Sequence, residues 1–367
     1  MFFLIVLGVW TALNAYVAWR VLSLGMATRP LPRATLIGGF VALWISYLAA
    51  RMLERAGVGA IARVLEWVGA HWLGMVFLAF VCFLAVDIVT AFGHLFPAAA
   101  PRLRVIAAIV ACGMAVIANI QGRRAPVVHA YEVRMAGLPA TLDGTTIAVI
   151  SDTHLGTMIG PDWLARRVDQ VQALKPDLIV LDGDIVEGDK ENEAEILGGL
   201  RRLSAPLGIF GVTGNHEYYA GVERSVRFLN QSGVRMLRDE AVEVRPGLVL
   251  AGVDDLTARR QFGETADYLR HALANRPAGA TVLLSHSPMR PQRAAELGAG
   301  LMISGHTHAG QIWPFTYLVR ATYPLVHGRY DVNGMTAIVC RGTGTWGPRM
   351  RLWGRGEILK IVLRTSS

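Results

Sequence analysis

Apolar residues crowd the first third of the chain and then give way to short runs separated by polar turns. Before about Ile120 the only acidic residues are Glu54, Glu66 and Asp87. Four stretches there, about Phe2 to Trp19, Ala34 to Ala50, Trp72 to Phe92 and Val105 to Ile120, approach the roughly 20 apolar residues that a helix needs to cross a bilayer core. Four transmembrane helices are expected; the second and fourth are short enough that a buried hairpin or a tilted re-entrant pair would also fit. Trp19, Trp67 and Trp72 fall near expected helix ends, where indole rings favour the interface. Met1 to Trp10 carries no charge ahead of its apolar run, so a retained first helix is expected over a cleaved signal. Asp87 lies inside the third helix, where an ionisable side chain calls for a basic partner on another helix and a packing role between them.

From Val127 the period changes. Val127 to Arg134 alternates like a half-buried strand, and Thr146 to Ser151, Leu178 to Leu181, Ile209 to Val212, Val282 to Ser285 and Leu301 to Ser304 read as buried strands. Helical spacing appears over about Asp162 to Ala173, Asn192 to Leu203, Val222 to Asn230 and Gly263 to Ala274. Strand, polar loop and helix alternate, which is the pattern of an α/β domain whose loops collect beyond the carboxyl ends of its strands. The expected division is a transmembrane helical domain over 1–122 and an α/β domain over 123–367.

Composition agrees with a chain partly in lipid: 53% of the 367 residues are hydrophobic and the mean hydropathy is +0.38. The net charge of +8 comes from arginines spread along the chain and suits anionic headgroups or phosphorylated substrates as well as a plain solvated face. No run of basic residues interleaved with aromatics suggests a nucleic-acid platform. Arg20, Arg29 and Arg33 nearly balance Arg51, Arg55 and Arg63, so loop charge leaves the sidedness open. Cys82, Cys112 and Cys340 form no framework or metal-type pair, which points to a reducing compartment and so leans toward the cytoplasmic side of the cell membrane.

The candidate chemistry sits in Gly-rich turns after the strands: Ser151-Asp152-Thr153-His154, Gly183-Asp184-Ile185-Val186-Glu187, Gly214-Asn215-His216-Glu217, Ser285-His286-Ser287 and Gly305-His306-Thr307-His308. Oxygen and imidazole donors without thiolates suit Mn, Fe or Zn, and a shared carboxylate, for which Asp184 is the candidate, holds two ions about 3.5–4 Å apart. Such a pair can activate a water and clamp phosphoryl oxygens. His71, His94, His129, His271 and His327 stand outside the series and read as structural or surface residues.

The ordered series D-x-H, GD-x-x-[DE], GNH[ED], a lone His and GH-x-H resembles the calcineurin-like metallophosphoesterase superfamily over roughly Val127 to Ile361. The resemblance implies a four-layer αββα sandwich with two divalent metal ions. One would be held by Asp152, His154 and His308, the other by Asn215, His286 and His306, with Asp184 between them. It also implies that His216 serves the leaving group and that Glu187 orients it, with the distance from Glu187 open because many relatives carry the shorter Asp. The lead-in Leu138-Pro139, the extended GH-x-H-AGQ and the tail from Gly342 to Ile358 resemble the membrane-associated branch, which includes YkuE- and YaeI-like phosphoesterases and UDP-2,3-diacylglucosamine pyrophosphatases. Gly188-Asp189 stands where the Ser/Thr protein phosphatases carry Arg-Gly.

The expected function is a membrane-anchored phosphoesterase or pyrophosphatase whose partners are membrane lipids and a phosphorylated lipid or lipid-linked nucleotide. A soluble-diester enzyme that is merely anchored, and a non-catalytic metal- and phosphate-binding sensor, are the rival readings. Gly342 to Gly347 satisfies G-x-G-x-x-G, but too little chain follows for a nicotinamide-type site, leaving a loop near the active site or a plain turn. Asp254-Asp255 reads as a turn or helix start ahead of a supporting carboxylate. Ile312 to Leu325, rich in aromatic residues, is either an internally packed loop or one that meets lipid.

Overall fold

The computed structural model describes residues 2–24, 32–55, 58–188 and 192–366, so Arg29 and Asp189 lie outside the described residues. The chain divides into two compact units.

The first unit holds α1 (Phe2–Leu24), α2 (Arg33–Arg55), α3 (Gly59–Val89) and α4 (Ala100–Arg123). All four are long and apolar enough to cross a membrane, so the second and fourth are full helices, not re-entrant pieces. Trp10, Val17, Val76, Phe83 and Ala107 pack inside, while Ile5, Val9, Val41, Ile61, Ile106 and Ile109 stay exposed. An outer surface of that kind belongs in hydrocarbon, and the protein is a multi-pass membrane protein. Trp19 and Trp67 are about half exposed. Trp72 departs from its expected place: α3 starts at Gly59, so Trp72 lies well inside it and donates from Nε1 to Asn14 Oδ1 at 2.8 Å. Arg63 and Glu66 hide the first turns of α3 from a hydropathy reading.

Asp87 has no exposed surface. Its carboxylate accepts from Tyr16 and Arg20 of α1 and from Arg104 of α4, the last at 3.0 and 3.2 Å. One carboxylate thereby ties three helices. The unit also takes in Gly347–Trp353, where Arg351 N–H donates to Ala118 O at 2.9 Å and Trp353 N–H to Gln121 Oε1 at 3.0 Å. The sequence pattern places everything beyond 123 in the α/β region, and this short segment departs from it.

Among the described residues the second unit contains twelve strands: β1 (Val127–Met135), β2 (Thr146–Ile150), β3 (Leu178–Asp182), β4 (Ile209–Val212), β5 (Arg235–Met236), β6 (Glu240–Arg245), β7 (Gly247–Gly252), β8 (Gly279–Leu284), β9 (Leu301–Ser304), β10 (Gly328–Val332), β11 (Met335–Val339) and β12 (Glu357–Thr365). They form two six-stranded sheets, ordered β1-β12-β2-β3-β4-β5 and β10-β11-β9-β8-β7-β6. Its helices are α5 (Pro161–Gln172), α6 (Glu193–Leu200), α7 (Asn215–Ala220), α8 (Val222–Gln231), α9 (Leu256–Gln261), α10 (Tyr268–Ala274), α11 (Pro291–Glu296) and α12 (Thr316–Thr322).

Burial on both faces explains the unbroken apolar strands. In β3, Leu178 and Val180 face the second sheet in a core with Leu250, Val282 and Ile303, whereas Ile179 and Leu181 face α5, α6 and α8 through Leu164, Ile196 and Leu229. On the far side, Leu283 and Met302 pack against Leu269 and Leu273 of α10 and Ala294 of α11. Helix, sheet, sheet, helix is the expected four-layer order. The expected helix over Gly263 to Ala274 is instead a turn and a short α10, because Gly263 takes a left-handed φ of 85° and Asp267 caps α10 through Arg270 N–H.

Candidate metal centre

Strands β2, β3 and β4 run parallel in one sheet and β8 and β9 run parallel in the other. The loops after their carboxyl ends carry every residue of the motif series and meet over the edge of the sandwich. Within those loops the backbone is strained: Asp152, His154, Asp184, His306 and His308 have φ of 53°, 49°, 51°, 68° and 47°. Each such residue costs on the order of 1–3 kcal/mol and persists only where its surroundings over-determine it.

Glu217 supplies much of that determination. Its buried carboxylate accepts the N–H groups of Asp184, Ile185, Val186 and Gly214 at 2.9, 2.8, 3.1 and 2.7 Å, pinning the β3 loop to the β4 loop. Ser151 Oγ donates to Asp152 Oδ2 at 2.6 Å, and His306 N–H donates to Asp152 Oδ1 at 3.0 Å. Gly214 and Gly305 are required by closeness: a Cβ on either would collide with the side chain of Asp184 or with those of Ser151 and Asp152. Gly344 N–H donates to Asp152 O at 3.0 Å, so the Gly342 to Gly347 segment is a loop against the site.

The donor set fits two cations. Asp152, His154 and His308 present ligand atoms within 4.8 Å of one another, as do Asp184, His286 and His306. His154 Nδ1 lies 2.5 Å from Glu187 Oε1 and donates to that carboxylate, which turns Nε2 toward His308 Nε2 at 3.0 Å. His308 Nε2 is 3.3 Å from Asp152 Oδ1. Nitrogens and oxygens turned toward one point this way need a positive charge between them. In the second group, His286 Nδ1 donates to Asp182 O at 2.6 Å and His306 Nε2 contacts Tyr323 Oη at 2.6 Å. The opposite ring nitrogens, His286 Nε2 and His306 Nδ1, are buried without hydrogen-bond partners, and so is Asn215 Oδ1. Asp184 adjoins both groups, with Oδ2 at 3.1 Å from His286 Nε2 and 3.9 Å from His154 Nε2.

Electrostatics describe the same deficit. Burial raises Asp152, and raises Asp182 well above the carboxylate range. Asp184 is held well below it, burial notwithstanding, by His286 and His216. Burial opposes a charge on His286, but Asp184 outweighs it and pushes that imidazole well above its ordinary value. Asp184 and His286 do not align as a hydrogen bond, so the pair is coupled by charge, and a cation binding there would displace the proton. His306 is pushed down to about 3 by burial and then by His286, and so stays neutral.

Glu187 also reaches His216, whose Nδ1 is 3.0 Å from its carboxylate. The longer side chain is no obstacle: one carboxylate spans His154 and His216. Burial works against the imidazolium of His216, but Glu187 and then Asp184 prevail and push its pKa up to about 9. Tyr219 and Trp346, both about half exposed, stand edge-on to the His216 ring at 5.4 and 6.3 Å.

The eight titratable residues singled out in the sequence therefore meet, and Asn215 starts α7 in the loop after β4 with its Oδ1 buried and unpartnered. Glu217, Ser151, Tyr219, Trp346 and Tyr323 join them without a role read from the sequence; Ser151 and Glu217 stand inside motifs, Trp346 inside the Gly342 to Gly347 segment and Tyr323 inside the aromatic-rich Ile312 to Leu325 segment, and only Tyr219 carries no local signal. Asp255 both caps α9 through Ala258 N–H at 2.6 Å and accepts from Ser287 Oγ at 2.5 Å, so it is a helix start and a supporting carboxylate at once.

Residues 145–310 match the family described as Calcineurin-like phosphoesterase. The chain is 35% identical over 249 residues to an uncharacterized metallophosphoesterase of Aquifex aeolicus, covering 65% of this chain and 91% of that protein. It is 34% identical over 275 residues to the zebrafish (Danio rerio) transmembrane protein with metallophosphoesterase domain, covering 72% of this chain and 63% of the relative, so less than two thirds of that relative's length is matched. The uncharacterized metallophosphoesterase YkuE of Bacillus subtilis is 26% identical over 251 residues, 65% of this chain and 85% of YkuE. With its ligand set, its order of motifs and these relatives, the chain belongs to the calcineurin-like metallophosphoesterase family.

Proposed function

We propose that the protein hydrolyses a phosphoester or pyrophosphate bond of a phosphorylated lipid or lipid-linked nucleotide at the membrane. Asp152, His154 and His308 would hold one divalent cation, Asn215, His286 and His306 a second, and Asp184 both; Mn, Fe and Zn suit these donors. Such cations polarise phosphoryl oxygens and make a water nucleophilic near neutral pH. The chain's own residues complete the chemistry. His216, kept protonated by Glu187, donates a proton to the departing oxygen, and the Glu217 carboxylate keeps the β3 and β4 loops in register beneath it.

The Glu187 carboxylate held 3.0 Å from His216 Nδ1 is the observation that carries a hydrolase over a sensor, because holding metal and phosphate needs no oriented acid. In the purified full-length chain, His216→Asn is expected to lower kcat by about 10²–10⁴-fold while metal content stays unchanged. Retained turnover, or no turnover by the wild type on any phosphoester with any of the three metals, would overturn the reading.

The lipid assignment is supported by the membrane helices and by the segment around α12, where Trp313, Phe315, Tyr317 and Leu318 are 38%, 42%, 60% and 60% exposed. Ile312, Tyr323 and Leu325 pack inward, while these four side chains suit an interface. Phe315→Ser with Leu318→Ser should slow hydrolysis of lipid substrates far more than of a soluble chromogenic diester; equal loss on both would discard the role of α12. The exposed rings of Tyr219 and Trp346 beside His216 favour, as a second reading, a flat leaving group such as a nucleotide, and a screen of lipid-linked against soluble nucleotides separates the two.

A further inference from the structure

The second nitrogen of His306 faces a side-chain hydroxyl, and that hydroxyl begins a chain. Tyr323 Oη lies 2.6 Å from His306 Nε2 and 3.3 Å from Thr257 Oγ1. The Thr257 and Ser287 hydroxyls are 2.8 Å apart, and Ser287 Oγ is 2.5 Å from Asp255 Oδ2. Thr257, Ser287 and Asp255 are all buried.

Each hydroxyl has a single proton, so the far end decides the direction. Asp255 only accepts: its Oδ1 takes Ala258 N–H and its Oδ2 takes the Ser287 proton. For every contact in the row to carry a hydrogen bond, Ser287 accepts from Thr257, which turns its proton away from Met289 Sδ, Thr257 accepts from Tyr323, and Tyr323 accepts from His306 Nε2–H. With its single ring proton on Nε2, His306 offers its lone pair at Nδ1, the buried nitrogen that has no partner. The opposite direction would protonate Nδ1 and remove it as a ligand.

Resting on the dinuclear reading above, the geometry points to Tyr323 as a positioning residue that fixes the tautomer and orientation of His306 for the second cation, with Asp255 setting the polarity of the hydroxyl chain. Hydrogen bonds polarised in one direction strengthen one another, and partners behind a metal-bound histidine raise its basicity. Nothing in the motif series contains Tyr323, Thr257 or Asp255; the fold brings them from α9, its N-terminal cap and the end of α12.

Cation binding to the full-length chain, measured by titration and by the spin coupling of bound Mn(II), tests this. Tyr323→Phe removes only the hydroxyl and is expected to weaken one cation by about 10–100-fold while leaving the other at wild-type affinity, so that an isolated Mn(II) signal replaces the coupled one. Asp255→Asn can still cap α9 through its carbonyl but gives Ser287 an N–H in place of an acceptor, which reverses the chain; it should produce the same selective loss with little change in thermal stability. A purely structural Tyr323 would not respond to that reversal. Wild-type affinity for both cations in both variants, or loss spread equally over the two cations, would overturn the role. A wild-type chain that binds no pair of cations would sink the centre itself and this role with it.

Discussion

Glu187 joins two imidazoles that would otherwise compete for one charge, and its effect can be tested through a proton. In the chelated protein His216 should titrate near 9, above the ordinary 6.5. A histidine raised in this way adds stability that is complete below about pH 6.5 and is lost as pH rises through about 9. Glu187→Gln removes the larger attraction, so the His216 midpoint, followed by NMR of the ring, should move down, as should the alkaline limb of kcat in the loaded enzyme. An unmoved midpoint would mean that Glu187 does not hold the acid. The roles of His216 and Glu187 were legible through the family resemblance of the motif series; that Glu187 also holds His154 was not. Tyr323 was not legible, and Asp255 only as one alternative reading of the Asp254-Asp255 pair, since nothing in a sequence says which hydroxyls lie in line.

At the scale of the element, the strands β2, β3, β4, β8 and β9 were readable because burial on both faces leaves an unbroken apolar run. The loops after those strands were only half readable: the glycines marked turns, but left-handed Asp152, Asp184 and His306 are imposed by Glu217, by neighbouring backbone and by the opposite sheet. Gly214→Ala puts a methyl group into the Asp184 carboxylate, and overpacking of that kind costs about 1–3 kcal/mol. The expected outcome is a lower melting temperature together with loss of bound metal; a variant with wild-type metal content would show that the loop yields without moving Asp184. The late start of α10 escaped the periodic reading because left-handed Gly263 and the capping Asp267 outweighed a run of apolar spacing.

At the scale of the whole molecule, the four apolar helices follow from composition, and the ion cluster inside them does not. Hydropathy marked Asp87 as anomalous but could not say that Arg20 and Arg104 both reach it. Asp87→Ala would leave two buried guanidinium groups without their carboxylate, at a cost of about 3–5 kcal/mol, and should lower the melting temperature of the protein in detergent. Replacing Arg20 and Arg104 by Met in the same variant should recover much of that loss, since an apolar core of similar volume carries no desolvation cost. No recovery would mean that the helices are held by packing around Val76 and Phe83 and that the charges serve another end.

The amino-acid order by itself determined the membrane helices and the alternation of strands and helices, and through the family resemblance it named the residues of the candidate metal centre, because each depends on local hydrophobicity or on short spacing. Tertiary structure alone decided that Glu187 serves two histidines, that Glu217 stitches two loops, and that a line of hydroxyls runs from His306 to Asp255. Those are relations between residues tens of positions apart, set by the stacking of two sheets, and no local pattern encodes a distance across that stack.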